Sequence, residues 1–156
     1  MKKYNFKKTY GTLFLLLIML ITENVFSQNK ESMTKRSSTH EIVFANRNWK
    51  EVMAVAKKRG RFIFVDAYTS WCGPCKLLKS TTFKDKKAAD YFNKNFINFS
   101  ADMEKGEGPA LAEKWDITAY PSLLFFNSEG EMVLKQVGYI NADTLLEFGR
   151  QALLKK

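Results

Sequence analysis

The apolar positions change their period along the chain, and each change marks an element. Trp49, Val52, Met53 and Ala56 recur at spacings that put them on one face of a helix. Asn46 or Asn48 stands where an N-cap belongs and Gly60 lies just past the end, so an amphipathic first helix is predicted. Phe62, Ile63, Phe64 and Val65 then form a continuous apolar run between Arg61 and Asp66. A strand covered on both faces reads this way, which places it centrally in a sheet. A helix beginning at Cys72 carries Leu77 and Leu78, and a further helical stretch over 86–94 buries Ala89 and Phe92, with Tyr91 beside them. Residues 96–101 read as a second strand. Gly106, Gly108 and Pro109 mark a loop over 103–109 that enters a helix running to about Trp115. Residues 123–126 and 132–137, joined through Ser128, Glu129 and Gly130, predict a hairpin. Asn141 then caps a closing helix with Leu145, Leu146, Phe148 and Ala152 inward.

The amino end follows none of these patterns. Lys2, Lys3, Lys7 and Lys8 precede the unbroken apolar run 13–21 and then Val25, Phe26 and Ser27, the order of a secretory signal peptide. The run falls short of the ~20 residues of a spanning helix, so residues 1–27 are expected to be cleaved after Ser27, with an uncleaved anchor as the alternative. No cysteine stands near that point to accept lipid. Residues 28–40 are polar, with Met33 the one large apolar side chain, and read as a flexible linker. His40 within it is expected to be a solvated histidine rather than a ligand or base. Residues 41–156 are left as one domain, and the 46% hydrophobic content of the 156-residue chain suits one globular domain with a sizeable core.

Net charge adds little to this picture. The chain carries +9 and stays basic without residues 1–27, but its charges of both signs are scattered and form no aromatic-interleaved stripe. A solvated face explains them, and nucleic acid is not an expected partner.

The cysteine count changes the picture most, because both cysteines lie in Trp71-Cys72-Gly73-Pro74-Cys75-Lys76. Thiols three residues apart in the first turn of a helix share a face, and a disulfide closes there with local adjustment. Gly73 lets another chain approach Cys72, and Pro74 suits a turn whose N–H groups lack helical partners. The two sulfurs are unequal. Cys72 meets the unpaired N–H groups and positive dipole end, which favour a thiolate, while Cys75 lies one turn inside. Thiols so placed titrate at about 3.5 to 7.5 instead of ~8.5, so Cys72 is the expected nucleophile. Lys76 adds positive charge nearby. A structural disulfide and half of a metal site stay open as readings of C-x-x-C alone. In an exported chain with no second pair, stability must come from packing, and the oxidation state depends on an electron supply.

The flanking residues narrow these readings. Val65-Asp66-Ala67-Tyr68 through Cys75-Lys76 resembles the active-site stretch of the thioredoxin superfamily, and the likeness extends to Tyr120-Pro121-Ser122-Leu123-Leu124-Phe125-Phe126, Gly130 and Val137-Gly138. Within the superfamily, Thr82-Phe83-Lys84-Asp85, the turn at 125–130 and residues 138–142 look most like exported domains of the DsbD carboxy-terminal type. The resemblance implies an α/β thioredoxin fold, a central mixed sheet flanked by helices, and thiol-disulfide oxidoreductase activity without a cofactor. It makes Asp66 the buried acid that moves a proton at Cys75, where position alone also allows a solvent-facing strand end. It makes the bond before Pro121 cis and gives substrate binding to Trp71, Gly73, Pro74, Tyr120 and Pro121, with Tyr68 as a second wall. Catalysis falls to Cys72, Cys75 and Asp66.

Three departures qualify the match. The strand lysine that thioredoxins place near the acid falls on Asn98. Lys79 and Ser80 stand where thioredoxins have a kink proline, and DsbD-type domains carry an acid at Lys79, so this site is more positive. The loop 103–108 is also longer than in thioredoxin. The expected function is reduction of protein disulfides in the periplasm or outside the cell, by a monomer drawing electrons from a membrane-borne donor. The competing readings are a Cu(I) or Zn(II) module, which lacks ligands beyond two cysteines and a distant His40, and a disulfide-forming oxidant.

Overall fold

Four of the five helices start where a side chain accepts one of their first free N–H groups, the helix Gly108–Lys114 being the exception. The computed structural model describes residues 40–155, so the expected signal peptide and nearly all of the linker lie outside the described residues. Helix α1 (Trp49–Arg59) opens with a capping box: Asn48 Oδ1 accepts the Glu51 N–H at 2.9 Å and Glu51 Oε2 accepts the Asn48 N–H at 3.2 Å. It closes on Gly60, whose φ of 59° is left-handed and costs glycine little. Strand β1 (Ile63–Tyr68) leads to α2 (Gly73–Ser80), which ends where the Thr81 hydroxyl caps the Leu77 carbonyl at 2.7 Å. A 3-10 turn (Thr82–Lys84) passes to α3 (Lys86–Asn95), capped by Asp85, and then to β2 (Ile97–Asp102). Helix α4 (Gly108–Lys114), the hairpin β3 (Ser122–Phe126) and β4 (Met132–Val137), and α5 (Ala142–Leu154), capped by Asn141, complete the order.

The sheet runs β2-β1-β3-β4, with β1 parallel to β2 and antiparallel to β3. The apolar run at 62–65 thus lies in an inner strand, as its lack of alternation predicts. The strand is longer than that run, however, continuing through Asp66, Ala67 and Tyr68. Asp66 is therefore a mid-strand residue opposite Ser100 and Leu123, where the sequence places it at the strand end. Hydropathy missed this because a buried carboxylate interrupts the pattern without interrupting the backbone ladder.

Two cores cover the two faces. One gathers Phe64, Phe83, Phe92, Phe96, Phe125 and Leu145 beneath α3 and α5. The other packs Trp49, Val52, Val65, Phe99, Trp115 and Phe126 beneath α1 and α4. At ~1.5–3 kcal/mol for each large side chain buried, this packing outweighs any single polar contact described below. Leu77 is exposed on α2, while Leu78 next to it is fully buried.

Candidate active site

Cys72 is the N-cap of α2, with extended backbone (φ −66°, ψ 111°), and its Sγ accepts the Cys75 N–H at 3.1 Å. Pro74 occupies the first turn, where its missing N–H costs nothing. The two cysteines form a disulfide with Cα atoms 5.3 Å apart, so the structure is the oxidised form. Their inequality remains visible in the backbone, since only Cys72 receives a hydrogen bond from the helix start. Both are almost closed to solvent, at 3% and 1%, beneath the exposed Trp71, Gly73 and Pro74. Nothing lies within 4 Å of where a Cβ on Gly73 would stand, so an incoming chain is unobstructed there.

The Tyr120–Pro121 bond is cis. The Pro121 carbonyl accepts the Gly138 N–H at 2.8 Å, fixing this segment to the end of β4. The Tyr120 ring meets Trp71 edge-on, with centroids 6.0 Å apart, so the fold joins two aromatic side chains that lie far apart in sequence. Trp71 is 63% exposed, yet its Nε1–H is shared between Oε1 and Oε2 of Glu104 at 2.9 and 3.0 Å. Glu104 belongs to the loop between β2 and α4, which Gly108 folds tightly: a Cβ there would overlap the Asp102 carbonyl. No periodicity could have found Glu104, because it reaches Trp71 through a loop.

Asp66 is wholly buried, and burial raises its pKa from 3.8 to about 6 against the opposing pull of Lys79 and Ser100. The Ser100 hydroxyl donates to Asp66 Oδ2 at 2.8 Å, whereas Oδ1 has no hydrogen-bond partner among the described residues. Ser100 follows from register, being opposite Asp66 across the parallel β1–β2 pair. Lys79 Nζ stands 3.9 Å from the same Oδ2 and 2.9 Å from the centroid of the Tyr68 ring. Tyr68 thus carries a cation on its face as well as flanking the site.

Asn98 takes no part in this cluster. Its amide donates to the Val43 carbonyl at 3.2 Å and to Asn93 Oδ1 at 3.1 Å, tying the segment before α1 to α3. The positive charge beside the acid comes from α2 instead of β2. Among the described residues, no group of three or more His, Cys, Asp and Glu could hold a metal ion, and no helix is long and apolar enough to cross a membrane. His40 is exposed.

A cysteine pair bonded across the first turn of α2, on a mixed four-stranded sheet flanked by five helices, defines a thioredoxin-fold thiol-disulfide oxidoreductase. Residues 49–153 match the family model of the thioredoxin-like domain, and the chain belongs to that family. A thioredoxin of Alternaria alternata is 34% identical over 101 residues, which cover 65% of this chain and 80% of that protein. The thiol:disulfide interchange protein DsbD of Pseudoalteromonas atlantica is 23% identical over 138 residues, covering 84% of this chain but 23% of DsbD. Among solved structures, a candidate disulphide-isomerase of Bacteroides thetaiotaomicron superposes with a TM-score of 0.66 at 43% identity, covering 74% of this chain and 96% of that one. The oxidised DsbD c-terminal domain of Neisseria meningitidis gives a TM-score of 0.58 at 20% identity over 71% of this chain and 98% of its own, a likeness of fold alone.

Proposed function

We propose that this chain is an exported reductase of protein disulfides, with Cys72 as nucleophile, Cys75 as resolving thiol and Asp66 as the acid–base group. The observation that carries the reading is the hydrogen bond from the Cys75 N–H to Cys72 Sγ at the start of α2, which favours negative charge on that sulfur. The reduced Cys72 thiolate attacks one sulfur of the substrate disulfide and releases the other as a thiolate, forming a mixed disulfide. Cys75 gives its proton to the Asp66 carboxylate and attacks Cys72 Sγ. The Cys72–Cys75 disulfide forms, the second substrate sulfur leaves as a thiolate, and two electrons have passed from protein to substrate. Trp71, Gly73, Pro74, Tyr120 and Pro121 supply the surface on which an extended substrate segment lies. Residues 1–27 direct export, residues 28–40 tether a monomeric domain over 41–156, and a membrane-borne donor restores the dithiol in the periplasm.

Trapping tests the order of the sulfurs. Cys75→Ala protein, expressed in its own host, is expected to run as high-mass adducts that collapse with reductant, whereas Cys72→Ala shows few. Stronger trapping by Cys72→Ala would reverse the assignment. Direction is tested by redox titration: a potential near about −270 mV fits a reductase, and one near about −120 mV makes the protein an oxidant. Amino-terminal sequencing of the exported protein should begin at Gln28, and an intact Met1 would convert the signal into an anchor.

A further inference from the structure

The reductase reading leaves one charged group at the site without a role. Lys79 lies on α2 four residues after Cys75, so the two share a helix face, and that face is turned toward Asp66. A lysine with its side chain 39% exposed could extend into water, yet its ammonium lies over the Tyr68 ring, 3.9 Å from a carboxylate that is almost wholly buried. The Tyr68 face attracts the cation and holds it beside the buried carboxylate. The surrounding charges leave this pairing available. Asp102 on β2 also draws Lys79, but Lys105 Nζ neutralises it at 3.3 Å. Ser100 on β2 supplies a neutral hydrogen bond, and Leu123, opposite Asp66 on β3, supplies no charge. Asp66 Oδ1 has no hydrogen-bond partner among the described residues, so the carboxylate depends on few groups for its charged form.

We infer that Lys79 is a positioning residue that acts through Asp66: held over Tyr68, its ammonium keeps the buried carboxylate charged and thereby available to take the Cys75 proton. The inference deepens the reductase reading, on which the proton transfer rests. Burial raises the pKa of the acid while Lys79, and after it the Ser100 hydrogen bond, lower it, leaving it at about 6. Without Lys79 the carboxylate would stay protonated further up the pH scale and would accept the Cys75 proton only in more alkaline solution.

The test is a carboxyl carbon NMR titration of Asp66 in the oxidised protein, where neither cysteine carries a titrating proton and the Asp66→Asn spectrum identifies the resonance. Lys79→Met and Lys79→Gln are expected to raise the midpoint by about one pH unit, the low end for a charge at this range because Lys79 is partly open to water. Lys79→Arg should restore it. The pH profile of substrate release from the mixed disulfide should move with the midpoint in the reduced enzyme. An unchanged midpoint in both neutral variants overturns the inference. A wild-type protein that reduces no protein disulfide, but whose Asp66 midpoint still rises in Lys79→Met, sinks the reductase reading and upholds the Lys79–Asp66 coupling.

Discussion

Phe64 and Asp66 stand two residues apart on β1, so their side chains leave the same face of the sheet, and both are fully buried. Their surroundings differ completely. Phe64 meets Phe92, Phe125 and Phe83 with ring centroids 4.7, 5.2 and 6.0 Å away, contacts that cost nothing in desolvated charge. Asp66 lies beneath α2 with one hydrogen bond, a cation 3.9 Å away and an oxygen without a hydrogen-bond partner among the described residues. One position of the strand is built for packing, while the next position on the same face gives up part of that stability to a titratable group. The difference marks Asp66 as the residue of this face whose surroundings suit proton transfer.

Removing the packing residue should have the largest effect. Phe64→Ala leaves a cavity among several rings, and the cost expected of a buried phenylalanine is about 3–5 kcal/mol. Urea denaturation should show that loss equally at pH 5 and pH 8, because no titrating group changes its surroundings. The fraction still folded should keep its redox potential. A loss that varied with pH, or a displaced potential, would mean that the two positions on β1 are coupled and the contrast false.

The charged residue should respond with the opposite sign. A carboxyl raised from 3.8 to about 6 favours the folded state fully below the unfolded value, and that contribution is lost as pH rises through about 6. For a wholly buried group the loss amounts to about 3 kcal/mol. Asp66→Asn escapes it. The oxidised variant should therefore be more stable than wild type at pH 8, by up to about 3 kcal/mol, with the gain fading as pH falls toward 4. Its release of substrate from the mixed disulfide should slow, since no carboxylate takes the Cys75 proton. A variant less stable than wild type at pH 8 would show that Asp66 holds the fold together instead of straining it.

The same contrast explains what the sequence could convey. Phe64 was legible because burial on both faces leaves an uninterrupted apolar run, and Trp49, Val52 and Ala56 were legible because α1 buries one face. The hairpin and the cap at Asn141 follow from local chemistry and appear as predicted, and of the two candidates Asn46 and Asn48 it is Asn48 that caps α1. The placement of Cys72 at a helix start was equally local. The surroundings of Asp66 were not, because a strand gives no sign that its carboxylate is buried and paired from a helix. In the sequence Lys79 stands only as a positive departure near Cys72, and the resemblance puts the partner of the acid on β2, where Asn98 instead ties down the segment before α1. The spacing from Cys75 to Lys79 was the available signal, and it becomes informative only once α2 is known to lie over β1.

Trp71 extends the comparison to the rim, where the smallest effect is expected. It is exposed, so packing does not hold it. Its orientation rests on Glu104 and on the edge contact with Tyr120. A hydrogen bond to a carboxylate in water contributes far less than one in the interior, ~1 kcal/mol here, or about five-fold in binding. Under the proposed function the indole positions substrate without entering the chemistry, so Glu104→Ala should raise KM for a peptide disulfide about five-fold and leave kcat unchanged. Glu104→Gln keeps an acceptor and should restore most of the affinity. Fluorescence anisotropy should also show the Trp71 ring moving more freely in Glu104→Ala, provided the buried Trp49 and Trp115 are first replaced by Phe. A fall in kcat at constant KM would place Trp71 in the chemical step. An unchanged KM with a freer ring would mean that the fold needs no help from the β2–α4 loop to present its substrate surface.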